Sequence, residues 1–321
     1  MLNFNHTPGY VWPNPAFPFR EYFSHPNLRI FIIENIQHNW AWLKDHSRRF
    51  QARDHFFVYS GWYFDEWFLK QDLLVFDALG LDKEKFFFMF NCQESMDRYR
   101  SAGFKGDLIN HNCWLDWNGV MQPDLNIEKI YDAVYVGRFT PFKRHELARE
   151  IGNLALVMGG LMGGKVANEL PAHTYRNESQ LDEASVAKVI NQSRVGIILS
   201  ESEGACFASS EYLLCGLPVV STYSKGGRDV WYNEINSIQV GADSIEVAKA
   251  VKHFVDNPVD PSLIRNLHIQ ESLRQQSLYI KKLTTLFADH SVPIDAEKFF
   301  KESYIHKLRN SESPNFINIW P

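Results

Sequence analysis

The chain has 321 residues, of which 45% are hydrophobic and 22% charged, with a formal net charge of −5. This length supports two domains of ordinary size rather than one small core. The mild acidity excludes a broad electrostatic grip on nucleic acid, and no apolar run approaches the ~18 residues that a membrane span needs.

The start, MLNFNHTPGYVWPNP, lacks the basic and apolar regions of a secretory signal. Short apolar runs then alternate with longer amphipathic segments, the pattern of an α/β chain with parallel sheets. In the first part, strands are predicted over residues 28–33, 55–59, 85–90 and 107–110, and the clearest helix over 65–79. Residues 114–130, with Asn-Gly and Pro-Asp turn signals and no periodic apolar face, read as a linker. A second series predicts strands over 133–136, 154–158, 195–199, 218–221 and 237–240, with helices over 144–151, 182–192 and 244–257. The chain from Pro261 onward reads as helical and polar. These patterns divide the chain into 1–118, 119–285 and a helical tail, 286–321, suited to packing back on the first domain.

Three stretches carry possible chemistry. In VGIILSESEGACFASSEYLLCGLPVVST, a strand leads through Ser202, Glu203 and Gly204 into a helix predicted over 205–215. A helix start placed there offers backbone N–H groups and a positive dipole end to an anion. The small residues Gly204, Ala205 and Cys206 allow close approach, and Glu211 follows within the helix. By spacing alone the two glutamates read as solvated surface charges, and it is the strand–loop–helix–strand context that points to a site. In VYVGRFTPFKRHE, Arg138 and Lys143 follow a strand end at Gly137, where a guanidinium fork and an ammonium could clamp a diphosphate. The third stretch, LALVMGGLMGGKV, approximates a P-loop, but Val166 stands where Ser or Thr should hold magnesium, which argues against NTP hydrolysis.

Seven of the nine tryptophans precede residue 118. Trp67, on the predicted helix, is assigned to the core, whereas Trp12, among prolines, suits the apolar face of a sugar ring. His6 and His38 stand near predicted strand ends and are further cleft candidates. No histidine spacing suggests a metal site. The four cysteines, at 92, 113, 206 and 215, form no Cys-x-x-Cys pair and read as reduced thiols of a cytoplasmic protein.

Taken together, VYVGRFTPFKRHELA, the Glu203-x7-Glu211 run with CGLPVV, and KGGRDVW resemble the donor-binding half of retaining GT-B glycosyltransferases bearing a Glu-x7-Glu signature, the family 4 type. The motifs span roughly residues 132–240, and the first half matches in pattern only. The resemblance implies an α/β fold of two Rossmann-like doubly wound domains facing across a cleft. It implies transfer of a sugar, with retention, from a UDP- or GDP-sugar to a saccharide or lipid-linked glycan acceptor, as in polysaccharide biosynthesis. No cofactor or metal is expected, and peripheral association with the inner membrane face fits the family. By resemblance, Arg138 and Lys143 neutralise the departing diphosphate, Glu203 sits by the donor sugar and Glu211 accepts hydrogen bonds from the ribose. Gly137, Gly204, Ala205 and Cys206 approach the donor, and Tyr175, in PAHTYRN, lies in the base-contacting region. Cys206 departs from the family's E-G-F-G start. A GT-B epimerase acting on the nucleotide sugar, or a non-catalytic sugar-nucleotide-binding subunit, stays open as an alternative.

Overall fold

The computed structural model describes residues 19–34, 36–59, 61–158 and 170–303. In chain order the elements are β1 (Phe19–His25), β2 (Leu28–Glu34), α1 (Trp40–His46), β3 (Asp54–Tyr59), α2 (Glu66–Leu79), β4 (Phe86–Phe90), α3 (Gln93–Ser101) and β5 (Lys105–Leu108). There follow β6 (Tyr131–Gly137), β7 (Leu154–Met158), β8 (Tyr175–Arg176), α4 (Glu183–Asn191), β9 (Ser193–Ile198), α5 (Phe207–Leu214), β10 (Val219–Thr222), β11 (Ser237–Val240), α6 (Ser244–Asp256), α7 (Pro261–Asp289) and α8 (Ala296–Ser303).

The chain forms two compact units, Met1–Trp114 with Leu273–Pro321, and Leu115–Ser272. The sequence reading placed its divisions at 118/119 and 285/286. The stretch after Trp114 is pinned within the second unit, where Arg265 donates to the carbonyls of Met121 and Leu214 at 2.9 and 2.6 Å, and to that of Trp117. The other division falls inside α7, where an unbroken helical pattern gives no sequence signal.

In the first unit the described strands pair in the order β1-β2-β3-β4-β5, without reversal. β1, which the sequence reading missed, is the antiparallel arm of a hairpin closed by His25 opposite Leu28, with Pro26 and Asn27 as its two-residue turn. β2 to β5 are parallel. β3 and β4 are buried along their whole length, so they read as continuous apolar runs rather than as alternation. Asp65 caps α2 by accepting the Phe68 N–H at 3.0 Å, and Gly80 ends it at φ 62°. One sheet face packs Phe31, Phe56, Phe86 and Phe88 against Val75, Phe76, Met96 and Tyr99. On the C-terminal segments, Tyr279 meets Phe57 with ring centroids 5.1 Å apart, Phe287 meets Phe23 at 4.6 Å, and Phe300 meets Trp114 at 6.1 Å. Trp67, expected in the core, is 55% exposed in the first turn of α2. The apolar stripe of α2 is supplied instead by Val75 and Phe76 further along.

The second unit carries a parallel sheet in the order β11-β10-β9-β6-β7-β8. Successive strands leave β6 first on one side, as β7 and β8, and then on the other, as β9, β10 and β11. This reversal between β6 and β9 is the point at which doubly wound sheets open a crevice beyond the carboxyl ends of their strands. Both motif loops emerge there. The helix expected over 144–151 does not form. Pro141–Lys143 and His145–Ala148 are short 3-10 turns, separated by Arg144 in the left-handed region at φ 50° and ψ 48°. The guanidinium of Arg144 offsets that strain by donating to Leu199 O at 2.6 Å and Thr222 Oγ1 at 2.8 Å.

Inside the first unit, Asp72 is fully buried and accepts from Trp40 Nε1 and Tyr99 OH at 2.7 Å each, and from Gln37 Nε2 at 3.3 Å. Burial pushes its carboxyl up to about 6 despite these donors. A carboxyl raised on folding contributes stability that is fully present below its unfolded value and is lost as pH rises through about 6. The thermal midpoint of the wild type should therefore fall between mildly acidic and neutral pH, and Asp72→Asn should flatten this slope. Asp72→Ala strands three donors, each costing about 1–3 kcal/mol, and should lower the midpoint at every pH.

Candidate functional site

β6 ends at Gly137, and the turn that follows brings the Lys143 side chain, 11% exposed, back over the sheet's carboxyl edge. Tyr135 fixes that turn. Its hydroxyl donates to Lys143 O at 2.6 Å and accepts from Leu199 N at 3.3 Å, joining the ends of β6 and β9. Lys143 Nζ forms an ion pair with Glu203 Oε1, and Ser200 Oγ donates to the same oxygen at 2.6 Å. Glu203 is 5% exposed. Arg138 is exposed, and its guanidinium lies 5.8 Å from the Phe142 ring centroid, with Lys143 Nζ at 5.2 Å from the same ring. Lys143 and Glu203 are thus brought together, and Arg138 shares the Phe142 ring with Lys143.

The Glu203 loop is stitched to residues 225–227. Glu203 N donates to Lys225 O and Gly227 N to Gly204 O, both at 2.9 Å. Gly226, at φ 111°, lies so close that an added Cβ would stand 1.7 Å from Glu203 O. Gly204 and Ala205 are buried in this loop. The helix expected from residue 205 starts at Phe207, because Cys206 sits in the left-handed region at φ 54° and contributes no side-chain cap. Burial, with the Glu203 charge next in weight, pushes the Cys206 thiol up to about 11, so it is protonated at neutral pH.

Glu211 lies in the second turn of α5, half-buried, and its charged neighbour is Glu183 at the start of α4. Burial and that like charge push its carboxyl up to about 7. No described contact joins it to Lys143 or Glu203. α5 is clamped to the sheet by Tyr212, whose hydroxyl accepts from Val136 N at 2.6 Å and whose ring fills the space that a Cβ on Gly196 would occupy, 2.2 Å away. Tyr175 is not brought to this group; its ring packs on Tyr131 at the amino end of β6, with centroids 5.9 Å apart. His6 and Trp12 lie outside the described residues, as does residues 159–169 of the P-loop-like stretch. The backbone of His38 belongs to the 3-10 turn Ile36–His38, and its side chain lies outside the description.

Sequence reasoning missed Tyr135, Ser200 and Arg228. Arg228 was visible only as part of KGGRDVW. It is 1% exposed and donates to Ser200 and Thr222. His145, buried against the Tyr135 ring at 4.5 Å, is pushed down to about 4 by burial and then by Lys143, and is neutral near pH 7. Among the described residues, no group of three His, Cys, Asp or Glu side chains could hold a metal, and no helix is long and apolar enough to cross a membrane. None of the four cysteines is in a disulfide.

The chain is similar in structure to HepE of Anabaena in complex with UDP, with a TM-score of 0.58 and 14% identity over 79% of this chain and 78% of that one. HepE in complex with UDP-glucose gives a TM-score of 0.56 at the same identity and coverage. Sucrose-phosphate synthase from Thermosynechococcus elongatus matches at 17% identity and a TM-score of 0.55, over 86% of this chain and 75% of that one. No protein-family profile and no curated protein matches the chain. The likeness shows the fold: two parallel-sheet α/β domains of the GT-B class.

Gly196→Ala drives a methyl group into a Tyr212 ring held by its hydroxyl, and overpacking of this kind costs about 1–3 kcal/mol. Its thermal midpoint should fall, and Gly196→Ala combined with Tyr212→Leu should recover part of the loss.

Proposed function

We propose that this chain is a retaining glycosyltransferase, moving a sugar from a nucleoside diphosphate sugar to a saccharide or lipid-linked glycan. The observation that carries the reading is the placement of Lys143, Glu203 and Arg138 at the β6/β9 reversal, beside the start of α5. Doubly wound sheets bind nucleotides at such a reversal. The similarity to HepE, which was solved with UDP and with UDP-glucose, supports a nucleotide-sugar donor.

In this reading, Arg138 and Lys143 meet the negative charge that grows on the diphosphate as the anomeric bond breaks. Held in place before the reaction, such groups stabilise the charge without reorganising. Lys143 is engaged by Glu203 in the structure, so donor binding exchanges one anionic partner of the ammonium for another. Glu203 is then left to address the sugar hydroxyls. The amino end of α5, with its positive dipole, faces the phosphates. Glu211 takes the ribose hydroxyls, a task that needs its carboxylate form. Departure and attack on the same face of the sugar give retention, and the two cations carry the leaving-group charge without a metal.

Lys143→Ala should lower the transfer rate by about 10²–10³-fold with the fold intact by circular dichroism. Because the Glu211 carboxyl stands at about 7, affinity for UDP-glucose should rise as pH increases through that value. Glu211→Gln should bind more weakly, with no such rise. The decisive assay presents UDP-, GDP-, ADP- and CMP-sugars in a thermal-shift screen, then follows the product of the stabilising donor by NMR. A retained linkage is expected. Inversion, or donor consumption without any acceptor as an epimerase would show, would refute the assignment.

A further inference from the structure

Glu203 has a second support besides Lys143. The Ser200 hydroxyl that donates to Glu203 Oε1 at 2.6 Å itself accepts from Arg228 Nη1 at 2.7 Å. Arg228 also donates to Ser200 O at 2.9 Å, to Thr222 O, and to Thr222 Oγ1 at 3.4 Å. Its Nε–H has no acceptor among the described residues. All of these acceptors are neutral, yet the residue is 1% exposed. A buried guanidinium is unfavourable unless an anion compensates it. Asp229, next in the chain, feels the Arg228 charge, but it is exposed to solvent, and the guanidinium's described hydrogen bonds go to Ser200 and Thr222 instead. The carboxylate of Glu203, buried and one hydroxyl away, is the buried anion that Arg228 reaches through hydrogen bonds.

Lys143 and Arg228 therefore approach the same oxygen of Glu203, one directly and the other through Ser200. Their freedom to move differs. Lys143 sits on a short turn and has to leave Glu203 to meet a diphosphate. Arg228 is fixed to the carbonyl of Ser200, just past β9, and to that of Thr222, the last residue of β10, and has nowhere to go.

We infer that Arg228 is a positioning residue for Glu203, acting through the Ser200 hydroxyl, so that the carboxylate keeps its place when Lys143 transfers to a diphosphate. The inference rests on the donor site proposed above and adds the residue that holds its glutamate.

Limited acetylation of lysines in the full-length chain, read by peptide mass spectrometry, reports how firmly Glu203 holds Lys143 without any ligand. Ser200→Ala and Arg228→Lys should each raise Lys143 labelling about tenfold, the effect of one hydrogen bond to a charged group. Lys129, which donates to Ser193 O at 2.9 Å in the same unit, should label as in the wild type. Ser200→Thr keeps the hydroxyl and should protect Lys143 as the wild type does. The double variant should label no faster than Ser200→Ala alone, since both changes break one path. Unchanged Lys143 labelling in Ser200→Ala, loss of protection in Ser200→Thr, or additive effects in the double variant would each overturn the inference. Should Arg228→Lys unfold, seen as a rise at Lys129, the comparison of Ser200→Ala with Ser200→Thr decides it. Failure of the wild type to bind any nucleotide sugar counts against the donor reading and leaves the labelling result standing.

Discussion

A lysine and a glutamate sixty residues apart in the chain share one nearly water-free ion pair, Lys143 with Glu203, and the geometry of the second unit converges on it. Two charges withdrawn from water need each other and further hydrogen bonds besides. Ser200 supplies one bond to the carboxylate, and Tyr135 fixes the turn that carries the ammonium. The strand order makes the meeting possible. With β6 and β9 as neighbours at the reversal, loops from distant parts of the sequence leave the sheet side by side.

Two tyrosines convert that adjacency into a fixed frame. Tyr135 ties the end of β6 to the end of β9, and Tyr212 ties α5 to Val136 in the same strand. Each is wholly buried, and each uses its hydroxyl on backbone groups that would otherwise lose a partner. Gly196 and Gly226 complete the frame by lacking a side chain where Tyr212 and the Glu203 carbonyl come closest. Two non-glycine residues at the site, Arg144 and Cys206, adopt the left-handed region, and backbone strain of this kind clusters at functional sites.

The first unit uses buried polarity differently. Among the described residues Asp72 has no cation beside it and is satisfied by an indole, a phenol and an amide. Such a network gives specific alignment of α1, α2 and α3 at the expense of a carboxyl whose ionisation burial opposes. In the second unit, by contrast, the buried carboxylate of Glu203 has a cation, Lys143, directly against it.

The sequence by itself determined the α/β alternation and the buried runs of β3, β4 and β7, because apolar periodicity is local. It also brought Arg138, Lys143, Glu203 and Glu211 into view, through motif spacing. It could not show that Arg144 breaks a helix. The left-handed turn is supported by contacts with Leu199 and Thr222, far along the chain. Nor could it show that Cys206 delays α5, that Tyr175 turns toward Tyr131, or that Trp67 stays in solvent. Arg228 is the clearest case. In the sequence it is one charged residue after two glycines. Only the tertiary structure buries it beneath Ser200, because a guanidinium becomes tolerable inside a protein when strands distant in sequence deliver both its acceptors and its counter-charge.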